Sequence, residues 1–206
     1  MEHLFFLKGL VIGFVIAAPV GPIGVLCARR TLMHGRRAGF SSGMGAATAD
    51  AIYGFVAAFG LTYVSDMVVG HQFWLRLAGG TLLVVLGVKA FLAPPVARNE
   101  LPRMAHHYAG MYSSTFFLTL TNPMTIFSFG AVFAGFGLAG AKGSMLSAGV
   151  LVFGVFVGSG LWWLFLVGIF SLWRRRFQSN ELTWVNRIAG SIIAVSGIAL
   201  LLSFVW

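Results

Sequence analysis

Apolar residues fill long uninterrupted stretches of this chain, and polar residues are confined to short segments between them. A helix needs about 20 apolar residues to cross the hydrocarbon core of a bilayer. The stretches that reach this length are 5–28, 40–64, 73–93, 113–138, 145–170 and 184–205. Strands of a membrane barrel alternate polar and apolar residues over about ten positions, whereas these stretches are continuous. The pattern predicts an all-α membrane protein with six transmembrane helices.

The composition supports a membrane location and excludes most soluble classes. Of 206 residues, 58% are hydrophobic and 9% are charged, whereas soluble domains contain about 25% charged residues. The net charge is +9, but in so apolar a chain Lys and Arg mark cytoplasmic loops rather than a nucleic-acid-binding surface. We expect one domain, 1–206. We also expect its first segment to remain in the mature protein, because Glu2 and His3 stand where a signal peptide has basic residues.

The distribution of basic residues predicts the orientation of the spans. Eleven of the 14 Lys and Arg residues fall in the loops, or at the span ends that adjoin them, between spans one and two, three and four, and five and six, the first of these loops being expected at 29–37. This side should face the cytoplasm, with both termini outside, unless one segment is re-entrant. We therefore expect a multi-pass protein of a bacterial inner membrane.

The second half of the chain repeats features of the first. Trp74, Gly80, Thr81 and Gly87 match Trp184, Gly190, Ser191 and Gly197, 110 positions later, and earlier in each half Asp50 and Tyr53 match Ser159 and Trp162. Because each unit has three spans, its second copy must enter the membrane upside down. The predicted parts are repeat one at 1–93, a cytoplasmic loop at 94–112 and repeat two at 113–206. Inverted repeats with broken helices are typical of secondary transporters.

Each half carries a proline break inside its first span. The two sequences are Pro19-Val20-Gly21-Pro22 and Thr121-Asn122-Pro123. Proline lacks a backbone donor and clashes with the preceding turn, so both sites should open the helix. The exposed backbone groups cannot face lipid and must line a cavity or meet a partner. A simple kink would explain one such site, whereas two at matching positions favour a functional break.

Asp50 is the one acidic residue that falls near the middle of a predicted span. A charge at that depth is costly and marks an ion or substrate pathway. Tyr53 lies on the same helical face and would either bond the carboxylate or stack on a ligand. The alternative is a structural carboxylate that caps a broken helix or bonds a hydroxyl such as that of Ser159.

No motif of an enzyme, a metal site or a cofactor site is present in the sequence. It lacks a Walker A loop, an HExxH motif and a Ser/His/Asp arrangement, and a single buried carboxylate offers no acid–base pair. We therefore expect neither catalysis nor a cofactor. Small-residue motifs could pair helices, either within one bundle or between the copies of a homodimer. These motifs are Gly9-xxx-Gly13, Gly39-xxx-Gly43 and Gly154-xxx-Gly158.

The ordered set of motifs resembles the lysine-exporter (LysE/RhtB-type) family of bacterial amino-acid efflux permeases. The residues that carry the likeness are Pro19-Val20-Gly21-Pro22, Gly45 to Asp50 with Tyr53, and Thr121-Asn122-Pro123. The resemblance implies export of an amino acid or derivative from the cytoplasm, driven by proton exchange or by the membrane potential. The resemblance does not identify which amino acid is the substrate. Related proteins export cations, but this chain has no cluster of buried metal ligands.

Together these features predict a proton-coupled exporter whose site lies between the two breaks. Backbone donors after Pro22 and Pro123, with Asn122, would hold the substrate carboxylate. Asp50 would bind the substrate ammonium and a proton in turn, and Tyr53 and Trp162 would be gates or walls. The partners would be substrate, protons and membrane lipids. The alternatives are an accessory membrane subunit without transport activity, a passive channel, and an exporter of another small solute or cation.

Overall fold

The computed structural model of the chain is built from α-helices. It describes residues 2–19, 21–59, 71–93, 108–122, 125, 128–129, 132, 145–173 and 179–203. The helices in this part of the chain are α1 (Glu2–Ala17), α2 (Pro22–His34), α3 (Arg36–Ala58), α4 (Gln72–Phe91), α5 (Tyr108–Leu120), α6 (Met145–Trp173) and α7 (Ser179–Leu202). No strand occurs in these ranges, and the prediction of an all-helical chain is confirmed for them.

Two helices are long and apolar enough to cross a membrane unaided, namely Met145–Trp173 and the part of α7 at Thr183–Leu202. Helices α1 and α2 meet the same criterion when they are taken together as one span bent by 83°. Described helices overlap all six apolar segments of the sequence. The count of six spans stays a prediction, since much of the segment at 113–138 lies outside the described residues.

The first predicted helix break is confirmed. Helix α1 ends at Ala17 and α2 begins at Pro22. Gly21 precedes α2 with an extended backbone (φ −94°, ψ −166°) and no side-chain cap. Proline is tolerated at the first position of a helix, where its missing N–H would have no intrahelical partner. Pro22 therefore starts α2 in a new direction, five residues after the end of α1.

Two predicted loops are shorter than expected. The loop predicted at 29–37 is wrong, because α2 runs through to His34 and a single residue, Gly35, separates it from α3. Gly35 has φ 91°, which only glycine adopts readily. Helix α5 likewise starts at Tyr108, inside the loop predicted at 94–112. In both places polar side chains find hydrogen-bond partners on neighbouring helices, so the helices continue through sequence that reads as loop.

Each helix that precedes a break packs on a long helix of the other half. Helix α1 packs along α6, α5 packs along α3, and α3 and α6 contact each other. Helices α4 and α7 pack chiefly on one another, and α7 also contacts α2. The short helix α2 therefore joins the α4–α7 pair to the rest of the bundle.

Glycines allow the closest approaches, and the two halves use them in the same way. A Cβ on Gly154 in α6 would overlap the Phe6 carbonyl oxygen and lie 3.0 Å from the amide nitrogen four residues further along α1. A Cβ on Gly45 in α3 would overlap the Tyr112 carbonyl oxygen and lie 3.1 Å from the amide nitrogen four residues further along α5. The contact between α6 and α1 is thus repeated between α3 and α5.

The pair α4 and α7 shows the same equivalence within itself. A Cβ on Gly80 would lie 3.1 Å from the Gly197 carbonyl oxygen, and one on Gly190 would lie 2.7 Å from the Gly87 carbonyl oxygen. Gly80 and Gly190 are 110 residues apart, and so are Gly87 and Gly197. The two contacts are therefore equivalent, because each glycine of one contact corresponds to a glycine of the other in the opposite half of the chain.

All three small-residue motifs pack within the chain. The glycines of Gly9-xxx-Gly13 and Gly154-xxx-Gly158 face each other between α1 and α6, and those of Gly39-xxx-Gly43 pack on side chains of α2 and α6. Of the two roles left open for them, the structure shows packing within one bundle. A homodimer stays a prediction, and these motifs do not support it.

Adding a methyl group to the α1–α6 contact should destabilise the protein. A Cβ on Gly158 would overlap the Leu10 carbonyl oxygen, whereas one on Gly168 in the same helix would meet nothing within 4 Å. We expect Gly158→Ala to lower the free energy of unfolding by about 1–3 kcal/mol through overpacking. Gly168→Ala should be neutral or slightly stabilising. Thermal unfolding in detergent compares the two variants, and equal melting temperatures would contradict the close contact.

Candidate functional site

A cavity of about 280 Å³ lies beside the break between α1 and α2. That is the share of volume of roughly nine water molecules. Its lining residues are Ile16, Ala17, Pro19, Gly21, Pro22, Ile23, Gly24, Ala46, Asp50, Thr119, Asn122, Thr125, Ser128 and Trp163. Both halves of the chain and both predicted breaks contribute to it. The size suits a small organic solute.

Five predicted site residues line this cavity, namely Pro19, Gly21, Pro22, Asp50 and Asn122. The cavity thus joins the first break, the carboxylate of α3 and the end of α5. Of the other predicted site residues, Pro123 lies outside the described residues. The remaining four do not line the cavity, namely Tyr53, Thr121, Ser159 and Trp162.

The carboxylate of Asp50 is the only acidic group of the cavity lining that the structure describes, and a hydroxyl of α6 holds it. Asp50 is 3% exposed, and Ser159 Oγ donates a hydrogen bond of 2.7 Å to its Oδ2. The indole Nε1 of Trp163 donates to Ser159 Oγ at 3.2 Å. The bond to Ser159 that the structural alternative expected is therefore present. The same carboxylate also lines the cavity, so the bond does not remove it from the site.

The first turn of α2 also faces the cavity. The first N–H groups of a helix have no partner within it and carry a partial positive charge. Just before α2 the N–H of Gly21 bonds the Pro19 carbonyl oxygen at 2.9 Å. Pro22 has no N–H, and the N–H groups of Ile23 and Gly24 have no partner among the described residues. Both residues line the cavity. The break therefore presents amide donors close to the carboxylate of Asp50.

The second break ends the helical hydrogen-bond ladder of α5. The Asn122 N–H bonds the Thr119 carbonyl oxygen at 3.2 Å, and its own carbonyl oxygen accepts the Thr125 N–H at 3.1 Å. The hydroxyl of Tyr53 donates to the carbonyl oxygen of Leu120, the last residue of α5. These bonds supply partners for backbone groups that leave the helix. The predicted end of the helix before Pro123 is confirmed.

Tyr53 is placed at this break rather than at the carboxylate of Asp50. Its ring packs on Phe129, with 5.9 Å between the ring centroids. Thr121 is also turned away from the cavity, since its hydroxyl donates to the Phe117 carbonyl oxygen at 2.8 Å. Neither residue lines the cavity, and Tyr53 contacts the break that Thr121 belongs to.

Trp163 lines the cavity, whereas the predicted Trp162 does not. The ring of Trp162 packs edge-on against Phe14 at 5.4 Å between centroids. Successive helical residues point about 100° apart, so neighbouring tryptophans face different surroundings. The repeat alignment selects Trp162 because it stands opposite Tyr53, and that criterion takes no account of which residue faces the break.

Three hydroxyl residues of the lining were not among the predicted site residues, namely Thr119, Thr125 and Ser128. Thr125 and Ser128 are both helical and three residues apart, so they share one face. The sequence could have identified these two residues, because it shows a pair of hydroxyls at this spacing directly after the second break. Thr119 precedes the break by three residues and has no comparable marker.

Arg30, which the sequence places in a loop, is a buried residue of α2. It is 7% exposed, and its Nη2 donates to Ser114 Oγ at 2.8 Å. Its Nη1 lies 2.9 Å from Ser42 Oγ, Thr115 Oγ1 and the Met111 carbonyl oxygen. These acceptors belong to α3 and α5. One guanidinium therefore ties the half-helix after the first break to two neighbouring helices.

Arg29 ties the other side of α2 to the α4–α7 pair. Its Nε donates to Asn186 Oδ1 in α7 at 2.9 Å. The Asn186 amide in turn donates to the Ala93 carbonyl oxygen, just after α4, at 3.4 Å. Adjacent arginines thus fix α2 to both parts of the bundle.

Comparison with known proteins identifies relatives over almost the whole chain. Residues 14–203 match the family model described as LysE type translocator. The chain is 25% identical over 198 residues to YcgF of Bacillus subtilis (strain 168), whose name describes it as a candidate amino acid efflux protein. The match covers 93% of this chain and 92% of that protein. No solved structure matches the chain.

Removing the hydroxyl that holds Asp50 should destabilise the protein. We expect Ser159→Ala to lower the free energy of unfolding by about 1–3 kcal/mol, because a buried polar group loses a partner. Ser171→Ala is the matched control in the same helix, since its hydroxyl bonds only the nearby Gly168 carbonyl oxygen in the described structure. Thermal unfolding in detergent would contradict the role of Ser159 if both variants melt alike.

Proposed function

The chain belongs to the LysE type translocator family, and on this premise we propose that it exports an amino acid or derivative from the cytoplasm in exchange for protons. The family and the efflux relative support an amino-acid exporter located in a membrane. The observation that carries the proposal is the cavity that Asp50 shares with the first turn of α2. A zwitterion needs these two groups together, a carboxylate for its ammonium and amide donors for its carboxylate.

The substrate carboxylate would bind at the broken helix. Amide donors at a helix N-terminus are suited to anions, and the first turn of α2 has no side-chain cap that would occupy them. In transporters with broken helices, half-helix N-termini hold anionic substrate groups in this way. Asn122 and the backbone after Pro123 would contribute from the second break.

Asp50 would couple substrate to protons by holding one or the other. A carboxylate in an apolar interior is stable when it is paired with a cation or is protonated. Among the described residues it forms no salt bridge, and its partner is a neutral hydroxyl. A substrate ammonium and a proton would therefore compete for it. Entry of a proton from one side would displace the substrate to the other.

The movement that changes access to the cavity would take place between two inverted three-helix repeats. The repeats would comprise residues 1–93 and 113–206, joined by the loop at 94–112. The equivalent glycine contacts of α1–α6 and α5–α3, and those within α4–α7, support such a repeat. Rocking one unit against the other would alternate access to the cavity. Tyr53 would act on the second break through its bond to Leu120, and Trp162 would form a packing surface on α1.

The proposed setting is a bacterial inner membrane that the chain crosses six times with both termini outside. The three candidate spans of α1–α2, α6 and α7 support a multi-pass arrangement. The excess of Lys and Arg on one side of the predicted spans supports the orientation. Arg29 and Arg30 would then lie toward the cytoplasmic end of α2.

Replacing Asp50 should abolish proton-coupled transport. We expect Asp50→Asn to weaken substrate binding at least about a hundredfold, because removing one partner of a buried charge pair costs about 3–5 kcal/mol. Amino-acid transport is measured in proteoliposomes that carry an imposed pH gradient. Glu2→Gln is the control, since Glu2 is exposed on α1. Normal transport by Asp50→Asn with an unchanged response to the gradient would exclude Asp50 from coupling.

Overproduction in cells should increase export of at least one amino acid. Cells fed dipeptides accumulate free amino acids, and we expect the wild-type chain to raise efflux of a subset of the twenty above the level of Asp50→Asn at equal expression. Amino-acid analysis of the medium gives the result. An accessory subunit would instead co-purify with another protein and show no flux when reconstituted alone, and a passive channel would ignore the proton gradient.

A further inference from the structure

The described residues of the cavity lining can pair with the two charges of a zwitterion and offer no group for an additional ion. Asp50 is the one ionisable side chain among the described residues of its lining. The other polar side chains are uncharged, namely Thr119, Asn122, Thr125 and Ser128. Once Asp50 binds the α-ammonium and α2 binds the α-carboxylate, no ionic group in this lining remains for a charged substrate side chain.

The buried guanidinium of Arg30 is already engaged in hydrogen bonds. Arg30 lies outside the cavity lining, and its two terminal nitrogens contact three hydroxyls and a carbonyl oxygen of α3 and α5. An acidic substrate side chain would have to break these contacts to reach it. Arg29 is bonded to Asn186 on the other side of α2. Neither arginine is therefore placed to compensate a second carboxylate in the cavity.

A cationic substrate side chain would also lack a counter-ion in the described lining of the cavity. An ion that leaves water without a counter-ion is strongly disfavoured. Trp163 lines the cavity, and its ring could attract an ammonium through a cation–π contact. Such a contact is weaker than the cost of an unpaired buried charge, so it does not reverse the preference.

The remaining lining suits an uncharged side chain of modest size. Apolar surface comes from Ile16, Ile23, Ala46 and Trp163, and hydroxyls come from Thr119, Thr125 and Ser128. A cavity of about 280 Å³ has room for a molecule the size of leucine or threonine, on the scale of roughly nine waters. Both an aliphatic chain and a hydroxyl would find partners there.

We propose that the exported substrate is an amino acid with an uncharged aliphatic or hydroxylated side chain, whose α-ammonium binds Asp50. This inference rests on the proposed function and specifies the substrate class of the same cavity. Selectivity against charged side chains would come from the absence of a second ionic group among the described lining residues, and not from one specific contact.

Counterflow in proteoliposomes of the wild-type chain tests the proposal. Vesicles are loaded in separate experiments with unlabelled L-leucine, L-threonine, L-lysine or L-glutamate, and uptake of the same labelled amino acid is measured. We expect half-saturation for leucine or threonine at a concentration at least about tenfold lower than for lysine and glutamate, because the charged side chains would be buried unpaired.

A second carboxylate should redirect the selectivity. We expect Ser128→Asp to lower the half-saturating concentration of lysine relative to leucine by about tenfold or more, since it supplies a counter-ion to the cavity. Ser128→Asn, of similar size and without charge, should keep the wild-type ranking whatever its rate. If Ser128→Asp does not fold, counterflow by the wild-type chain alone decides the proposal.

The outcomes separate this inference from the function it rests on. Exchange of lysine or glutamate at concentrations similar to those for leucine and threonine would overturn the substrate class and leave an amino-acid exporter intact. Failure to exchange any of the four probes, together with no efflux of any amino acid from cells, would overturn the proposed function as well.

Discussion

The structure is governed by the need to give every backbone polar group a partner in an apolar environment. Helices α1 and α5 both stop short, and the groups released at each break are then bonded or face the cavity. The Gly21 N–H bonds the Pro19 carbonyl oxygen, and the hydroxyl of Tyr53 bonds the carbonyl oxygen of Leu120. The amides of α2 that remain line the cavity. The cavity is therefore lined in part by groups that the breaks expose.

Close helix contacts surround a small cavity in the conformation that the structure shows. Glycines bring α1 against α6 and α5 against α3 until backbone meets backbone, so little freedom remains to fill the cavity by relaxation. The bond between Ser159 and Asp50 crosses from α6 to α3 within the same framework. A carboxylate held in this way would keep its position during the exchange of substrate and proton that we propose.

The sequence predicted those features that depend on residue type alone. Proline inside an apolar segment, as at positions 19 and 22, disrupts the helical hydrogen-bond ladder, and an aspartate in such a segment needs a partner whatever the fold. The sequence-based prediction failed where tertiary packing determines the position of a side chain. Arg30 reads as a loop residue because only the folded bundle brings hydroxyls of α3 and α5 around it. Trp162 and Trp163 are equivalent in the sequence, and only the rotation of α6 distinguishes them.

The buried guanidinium of Arg30 makes the two ends of the molecule chemically unequal. It joins α2 to α3 and α5 through several hydrogen bonds, whereas the sequence that follows the second break contains no basic residue before Lys142. Any movement of α2 away from α3 and α5 would therefore have to break the hydrogen bonds of a buried cation.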